Sequence, residues 1–161
     1  MSFERARYLL STFSALGEEI DVQTFNSRFF IQKYGYFLQE FGANLGYAFG
    51  MYIHGPYSPG LTRDAYALQQ IEYTDEEIES GSVDIDAIEN LQTLIEEVDE
   101  LVSGNRSKQY WFELFASLHF LCKHGYPKIE TLEDARNNRK LAHYGDDLVR
   151  GFKILQEYNL L

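Results

Sequence analysis

The pattern of apolar and polar positions predicts two helices at the start of the chain. Apolar residues recur at helical spacing over residues 3–16, and Gly17 stands where a C-terminal glycine is common. Thr24 has the chemistry of an N-cap for a second helix over residues 24–41. Aromatic residues cover several faces of this second helix, which predicts that it lies centrally in the core.

A strand and a third helix are predicted next. Apolar side chains alternate over residues 47–54, which suits a short strand, and Gly55-Pro56 is a turn signal. Ser58 followed by proline is typical of an N-cap and the first residue of a helix, here over residues 59–70. Residues 71–73 are expected to return as a second short strand. The order helix, helix, strand, turn, helix, strand is compatible with a winged-helix unit.

The remainder of the chain is helical in pattern. A capping-box sequence at residues 74–77 predicts a brief helix, which a loop at residues 80–82 follows. Longer helices are predicted over residues 84–102, 108–123, 131–143 and 146–158. The apolar seam of the first of these spans only about two heptads, which is more typical of a helix that packs on its own core than of a dimer stripe.

The predicted fold class is mainly α with a small β-hairpin. A winged-helix-like core would occupy residues 1–80, and additional packed C-terminal helices would occupy residues 81–161. A length of 161 residues suits a single domain. An aromatic share of 16% supplies enough ring surface for a thick core.

Composition favours an intracellular protein. Cys122 is the one cysteine, so no internal disulfide is available to the fold. Residues 1–10 carry charges and do not have the form of a signal peptide. No stretch is long and apolar enough for a membrane span. We therefore expect a cytoplasmic location and no membrane partner.

The net charge of −11 is concentrated in the middle of the chain. Residues 61–105 hold 1 basic and 13 acidic side chains, whereas residues 106–161 hold 9 basic and 7 acidic ones. Phosphate binding needs clustered Lys and Arg, so this charge disfavours a nucleic-acid partner. The acidic run is interpreted as a solvated helix face.

The sequence contains no complete cofactor or metal motif. No nucleotide-binding glycine motif is present in the sequence, and no cofactor is expected. His119, Cys122 and His124 form a short run, but a structural zinc site normally has a second pair of ligands. The interpretation is a buried thiol and a hydrogen-bonded histidine in a core helix, without a metal.

The Gly55-Pro56 turn offers one candidate ligand site. Amide groups at a helix N-terminus attract anions. His54, Tyr57 and Ser58 would add hydrogen-bond donors for a carboxylate or phosphate. The alternative, which is preferred, is that Tyr57 packs in the core and Ser58 only caps the helix.

A candidate catalytic pair lies near the C-terminus. Arg136 and His143 have the spacing of the Arg–His motif of HEPN-type ribonucleases, which implies metal-independent RNA cleavage. On a continuous helix this spacing places both side chains on one face. The alternative is a pair of solvent-facing residues on an ordinary helix.

Several segments resemble, in the same order, the YwgA-like family of small prokaryotic proteins. They are residues 30–42, 51–59 (MYIHGPYSP), 61–64, 111–119 and 154–161. The chain is similar, more distantly, to the Panacea antitoxin-like domain, in which a Gly-Pro turn also precedes a helix. The resemblance implies a prokaryotic source, a winged-helix-like core and a regulatory role without an established catalytic residue.

Three functions are compatible with these observations. The first is a non-catalytic regulatory or protein-interaction module, transcription-regulator-like or antitoxin-like. It would bind a protein partner, or a second copy of itself, through the acidic helix over residues 84–102. The second is a sequence-specific DNA-binding regulator that uses Arg63, Gln69 and Gln70, although one basic residue is few for a recognition helix. The third is the HEPN-like ribonuclease.

Overall fold

A computed structural model describes residues 3–79 and 82–161, and within them the chain is mainly α-helical with one small antiparallel hairpin. The elements are α1 Phe3–Leu16, α2 Phe25–Glu40, β1 Gly50–Tyr52, β2 Gly55–Tyr57, α3 Pro59–Leu68, α4 Asp75–Glu79, α5 Ile85–Leu101, α6 Lys108–His124, α7 Leu132–Arg136, a 3-10 helix Ala142–Tyr144 and α8 Asp147–Glu157. The predicted fold class is therefore confirmed. Most of the loop predicted at residues 80–82 lies outside the described residues. None of the described helices is long and apolar enough to cross a membrane.

Local hydrogen bonds set most of the helix starts where the sequence predicts them. The Thr24 hydroxyl accepts a hydrogen bond from the Ser27 amide, and the Ser27 hydroxyl accepts one from the Thr24 amide, which forms a capping box before α2. The Ser58 hydroxyl caps α3 by accepting a hydrogen bond from the Leu61 amide, and proline occupies the first helical turn. Ser107 caps α6. These contacts join residues close in sequence, so they can be predicted without the tertiary structure.

The hairpin differs from the prediction. Its turn lies at Ile53 and His54, so Gly55 and Pro56 begin β2 instead of forming the turn, and Gly55 has a φ of +95°. Tyr47 precedes β1 because its backbone N–H and C=O are bonded to the side chain of Gln39 rather than to a strand. Residues 71–73 form no strand. The element order that suggested a winged helix depended on that strand, and the observed order is helix, helix, hairpin, helix.

The chain divides into two compact units. The first lies within Met1–Gly50 and Tyr57–Glu97, and the second within Met51–Pro56 and Val98–Leu161. One boundary between these units falls inside α5. The single domain with parts at residues 1–80 and 81–161 stays a prediction. The residues of the hairpin turn belong to the second unit.

In the first unit, α1 packs against α3 and α4, and α2 packs against α3. Phe37 and Leu61 are among its fully buried side chains. Asp64 of α3 is also buried, and its carboxylate accepts hydrogen bonds from Arg5 Nε at 2.9 Å and from the Tyr47 hydroxyl at 2.7 Å. A buried carboxylate is stable only when it is paired, so these two donors make its place in the core possible.

In the second unit, α8 packs against both α6 and α7. Phe112 and Phe115 of α6 are fully buried. Gly151 allows α8 to approach α6 closely, because a Cβ atom at this position would lie 2.8 Å from the Cδ2 atoms of both Leu114 and Leu118. The sequence of α8 thus contains a glycine where the two helices come closest.

The helix predicted over residues 131–143 is wrong in its length. Helix α7 ends at Arg136, and His143 lies in the separate 3-10 helix. The reason is Asn138, whose side-chain Oδ1 accepts a hydrogen bond of 2.8 Å from the Lys140 amide, which a continued helix would bond to the Arg136 carbonyl. Asparagine side chains compete with helical hydrogen bonds in this way.

Candidate binding cleft

A cleft of about 490 Å³ lies in the second unit, and we call it the hairpin cleft. Hairpin residues, among them Tyr52 and Ile53, line one part of it. Helix α6 contributes Glu113, and the segment after α7 contributes Arg139 and Lys140. Three segments that are distant in sequence therefore build this cleft.

The carboxylate of Glu113 is held at both oxygens. The His54 Nδ1 atom lies 3.1 Å from Oε1, and the Tyr144 hydroxyl donates a hydrogen bond of 3.0 Å to Oε2. Burial raises the pKa of the Tyr144 phenol, and the charge of Glu113 raises it further, so the phenol stays protonated and donates. Glu113 thus joins the hairpin turn to the 3-10 helix through two hydrogen bonds.

A second carboxylate supports this wall. Asp147 accepts hydrogen bonds from Arg106 Nε at 2.8 Å and from the Tyr110 hydroxyl, and the Tyr110 ring packs edge-on against Tyr144 at 5.5 Å. Burial tends to raise the pKa of Asp147, but the bonds from Tyr110 and Arg106 outweigh it and the pKa is lowered. Burial, followed by the bond to Asp147, raises the pKa of Tyr110 to about 12. A neutral phenol and a charged carboxylate therefore face each other.

Three groups in the hairpin cleft can carry positive charge. Arg139, Lys140 and His143 all line it, and all three residues are exposed. Within residues 3–79 and 82–161, no ion pair or side-chain hydrogen bond engages them, although the His143 ring packs on Tyr144 with 4.0 Å between centroids. Because Glu113 is already bonded to two donors, this cleft suits an anionic group.

The structure places the two residues of the candidate catalytic pair in different elements. His143 lines the hairpin cleft, but Arg139 stands beside it there rather than Arg136. Arg136 Nη2 instead lies 3.2 Å from Asp146 Oδ1. One continuous helix does not present both residues on one face, because α7 ends at Arg136 and His143 lies in the 3-10 helix. The ribonuclease hypothesis itself stays a prediction.

The candidate anion site at residues 54–58 is divided between the units. His54 belongs to the second unit and bonds to Glu113. Tyr57 and Ser58 belong to the first, where the Tyr57 hydroxyl accepts a hydrogen bond from Thr62 and the Ser58 side chain caps α3. Ser58 is buried. Of the three predicted residues, His54 borders the hairpin cleft through its bond to Glu113.

The predicted DNA-contacting residues lie at and after α3. Arg63 is exposed on α3, and its neighbour Asp64 is buried. Gln69 and Gln70 follow the last residue of the helix. The Gln69 amide group donates hydrogen bonds to the carbonyl oxygens of Ile20 and Ala65. Among these three candidates, Arg63 is the one cation for phosphate, and the DNA-binding hypothesis stays a prediction.

His119 and Cys122 are core residues of α6. The side chains of His119 and Cys122 are buried. The Nε2 atom of His119 lies 3.1 Å from the carbonyl oxygen of Leu160. Burial, with a smaller effect from Asp134, raises the pKa of the Cys122 thiol to about 11. A thiol of this pKa is protonated and weakly nucleophilic at neutral pH. No group of three or more potential metal-ligating side chains occurs within the described part of the chain.

Apart from His143, the residues that line the hairpin cleft were not predicted from the sequence. Two signals were present. Ile53 is an apolar β-branched residue at a hairpin turn, where Asn, Asp or Gly is usual. Glu113 is the one acidic residue of α6 and stands among apolar and aromatic neighbours. Arg139 and Lys140 carried no signal, because they were assigned to a helix that does not continue to them.

Comparison of the chain with protein-family models, with curated proteins and with solved structures finds no match. The resemblance to the YwgA-like family therefore stays a prediction.

Proposed function

We propose that this chain is a non-catalytic protein-interaction module of a regulatory or antitoxin-like kind, and that it binds its partner at the hairpin cleft. The observation that carries the proposal is the exposure of Ile53, which is 92% exposed at the hairpin turn. Tyr52 beside it is 54% exposed. Both residues line a cleft that also contains Arg139 and Lys140.

An exposed aliphatic side chain at this place is unfavourable for an isolated protein and useful for a complex. Covering one isoleucine side chain contributes roughly 1.5–3 kcal/mol. Interfaces concentrate their binding energy in a few apolar or aromatic anchors with a polar rim. Ile53 and Tyr52 supply the anchors, and the cations beside them supply the rim.

The contacts of the polar residues in the cleft support a binding role over a catalytic one. Ser117 is buried, so its hydroxyl is not presented as a nucleophile. Both oxygens of Glu113 are engaged by His54 and Tyr144. These groups hold the wall of the cleft in place.

The acidic helix α5 is less suited to be the main binding surface. Its seam residues Ile88, Leu91 and Val98 are buried in the protein. What remains exposed is chiefly the acidic face. Ile85 in the first turn is also exposed, but α5 contains no basic residue that could form a rim beside it. The hairpin cleft offers both apolar anchors and basic residues. The resemblance to YwgA-like and Panacea proteins points to the same class of function.

Photo-crosslinking from the hairpin turn tests the proposal. A photoreactive phenylalanine analogue replaces Ile53 in the full chain, produced in its native cells, and the same analogue at Val149 is the control. Val149 is also exposed and lies in the second unit, on α8. We expect one protein to be crosslinked from position 53 and not from position 149.

Affinity measurements with the purified partner then show how much Ile53 contributes to binding. Ile53→Asp should weaken the complex at least about tenfold, because it removes an apolar anchor. Val149→Asp should leave the affinity unchanged. Light scattering after size exclusion identifies a second copy of the chain if that is the partner. The proposal fails if position 53 crosslinks nothing, or if both variants bind as tightly as the unmodified chain.

A further inference from the structure

A second cleft of the second unit adjoins the hairpin cleft. It has a volume of about 750 Å³, and we call it the Pro127 cleft after one of its lining residues. Arg139 and Lys140 line both clefts. These two residues therefore form a basic ridge with a cleft on either side.

The charges of the ridge are available to a ligand. Within the described ranges 3–79 and 82–161, the side chains of Arg139 and Lys140 take part in no ion pair or hydrogen bond. The nearby Arg136 differs, because Asp146 already pairs with it. Two adjacent cations without an internal counter-charge attract an anionic ligand.

Apolar side chains stand on both sides of the ridge. Ile53 and Tyr52 lie in the hairpin cleft. The Pro127 cleft is lined by Tyr126, which is fully exposed, and by Ile129, which is buried. The surface therefore presents an apolar part, a basic part and a second apolar part in order.

We propose that the ligand of this surface is an acidic peptide segment of a partner protein, an inference that rests on the interaction function proposed above. Neighbouring carboxylates of the segment bind Arg139 and Lys140, and an apolar side chain on each side of them enters one cleft. Arginine binds carboxylates through two parallel hydrogen bonds, which makes the ridge selective for this chemistry.

A nucleic acid matches the same surface less well. Single-stranded nucleic acids bind through aromatic platforms for successive bases and a groove of cations that follows the phosphates. Here the most exposed hairpin residue is the aliphatic Ile53, and the ridge has two cations.

Selection from a random peptide display library on the full chain tests this inference. We expect the enriched peptides to share a pattern of an apolar residue, neighbouring Asp or Glu, and a second apolar residue. The best peptide is then labelled with fluorescein, and its binding is measured by anisotropy. Affinity should fall as salt is added, because exposed charge pairs are screened.

Substitutions on the ridge give the decisive comparison. Arg139→Gln combined with Lys140→Gln should weaken peptide binding about tenfold. Arg150→Gln combined with Lys153→Gln is the matched control, because it removes the same charge from exposed residues of α8. The control should bind normally. Arg139→Lys combined with Lys140→Arg keeps the charge and should retain most of the affinity. Circular dichroism checks the fold of each variant.

Several results would overturn the inference. These are the absence of any enriched peptide, enrichment of neutral or basic peptides, and equal losses in the ridge and control variants. Tighter binding of an RNA oligonucleotide of equal charge would assign the ridge to nucleic acid. The peptide experiments can give one of these contrary results while Ile53→Asp still weakens binding of the crosslinked partner. In that case the proposed function stands, and only the acidic peptide as its ligand is wrong.

Discussion

At the scale of single residues, Asp147 holds together the polar contacts behind the hairpin cleft. It accepts hydrogen bonds from Tyr110 and Arg106, and the Tyr110 ring packs on Tyr144, which bonds to Glu113. The lowered pKa of Asp147 means that the folded protein prefers the charged carboxylate. Its contribution to stability is therefore present above the ordinary aspartate pKa of about 3.9 and is lost as the pH falls through the lowered pKa.

Asp147→Asn should lower the free energy of unfolding by about 1 kcal/mol at pH 7 through the weakened bond from Tyr110. The difference from the unmodified protein should shrink as the pH falls below about 3.9, because the carboxylate is then protonated first in the unfolded chain and, at its lowered pKa, in the folded protein. Urea denaturation at a series of pH values, followed by circular dichroism, measures both effects.

The adjacent Asp146→Asn is the control for this substitution. Asp146 is almost fully exposed, and its side chain makes no capping hydrogen bond to α8. We expect a change within about 0.5 kcal/mol. The expectation is wrong if the difference in free energy of unfolding between Asp147→Asn and the unmodified protein stays constant down to pH 3. The negative charge of Asp147 would then not contribute to the contact.

At the scale of elements, the close approach of α8 to α6 depends on Gly151. The Cδ2 atoms of Leu114 and Leu118 occupy the space that a side chain would need. Added methyl groups destabilise a protein interior that is packed this closely. The glycine lowers the helix propensity of α8, and the packing that it permits compensates.

Gly151→Val should destabilise the protein by about 1–3 kcal/mol, because the added methyl groups force the two leucines or α8 itself to move. Lys153→Val places the same β-branched side chain on the exposed face of α8 and should change stability by about 0.5 kcal/mol. Urea midpoints of the two variants measure the difference. Equal effects would mean that β-branching in the helix, and not contact with α6, decides the result.

At the scale of the whole molecule, the charge is divided unequally between the compact units. Residues of the first unit include 5 Lys or Arg and 16 Asp or Glu, whereas those of the second include 9 of each kind. The entire net charge of −11 thus belongs to the first unit. That unit also contains α3, the helix to which the DNA-binding hypothesis assigned Arg63.

The full chain should therefore give no shift of double-stranded DNA in a gel at low salt, where electrostatic attraction is strongest. The physical reason is that Arg63 alone does not offset the surrounding carboxylates. A shift that depends on DNA sequence under these conditions would contradict the expectation and favour the DNA-binding regulator. Loss of that shift in Arg63→Gln would assign it to α3.

The sequence alone determined the features that depend on neighbours along the chain. The starts of α2, α3 and α6 were predictable because Thr24, Ser58 and Ser107 bond to amides three residues later. Helical periodicity identified the long helices, since a helix turns by the same amount at every residue. The short capping sequences and the mainly α fold class were predictable for the same reason.

Only the tertiary structure decided where the chain departs from those local rules and which side chains meet. Tyr47 is kept out of a strand by Gln39 of α2, and α7 stops before Asn138, whose side chain binds the Lys140 amide. The hairpin cleft combines residues near positions 53, 113 and 139. No periodic pattern connects such distant positions, because their meeting depends on how whole elements pack.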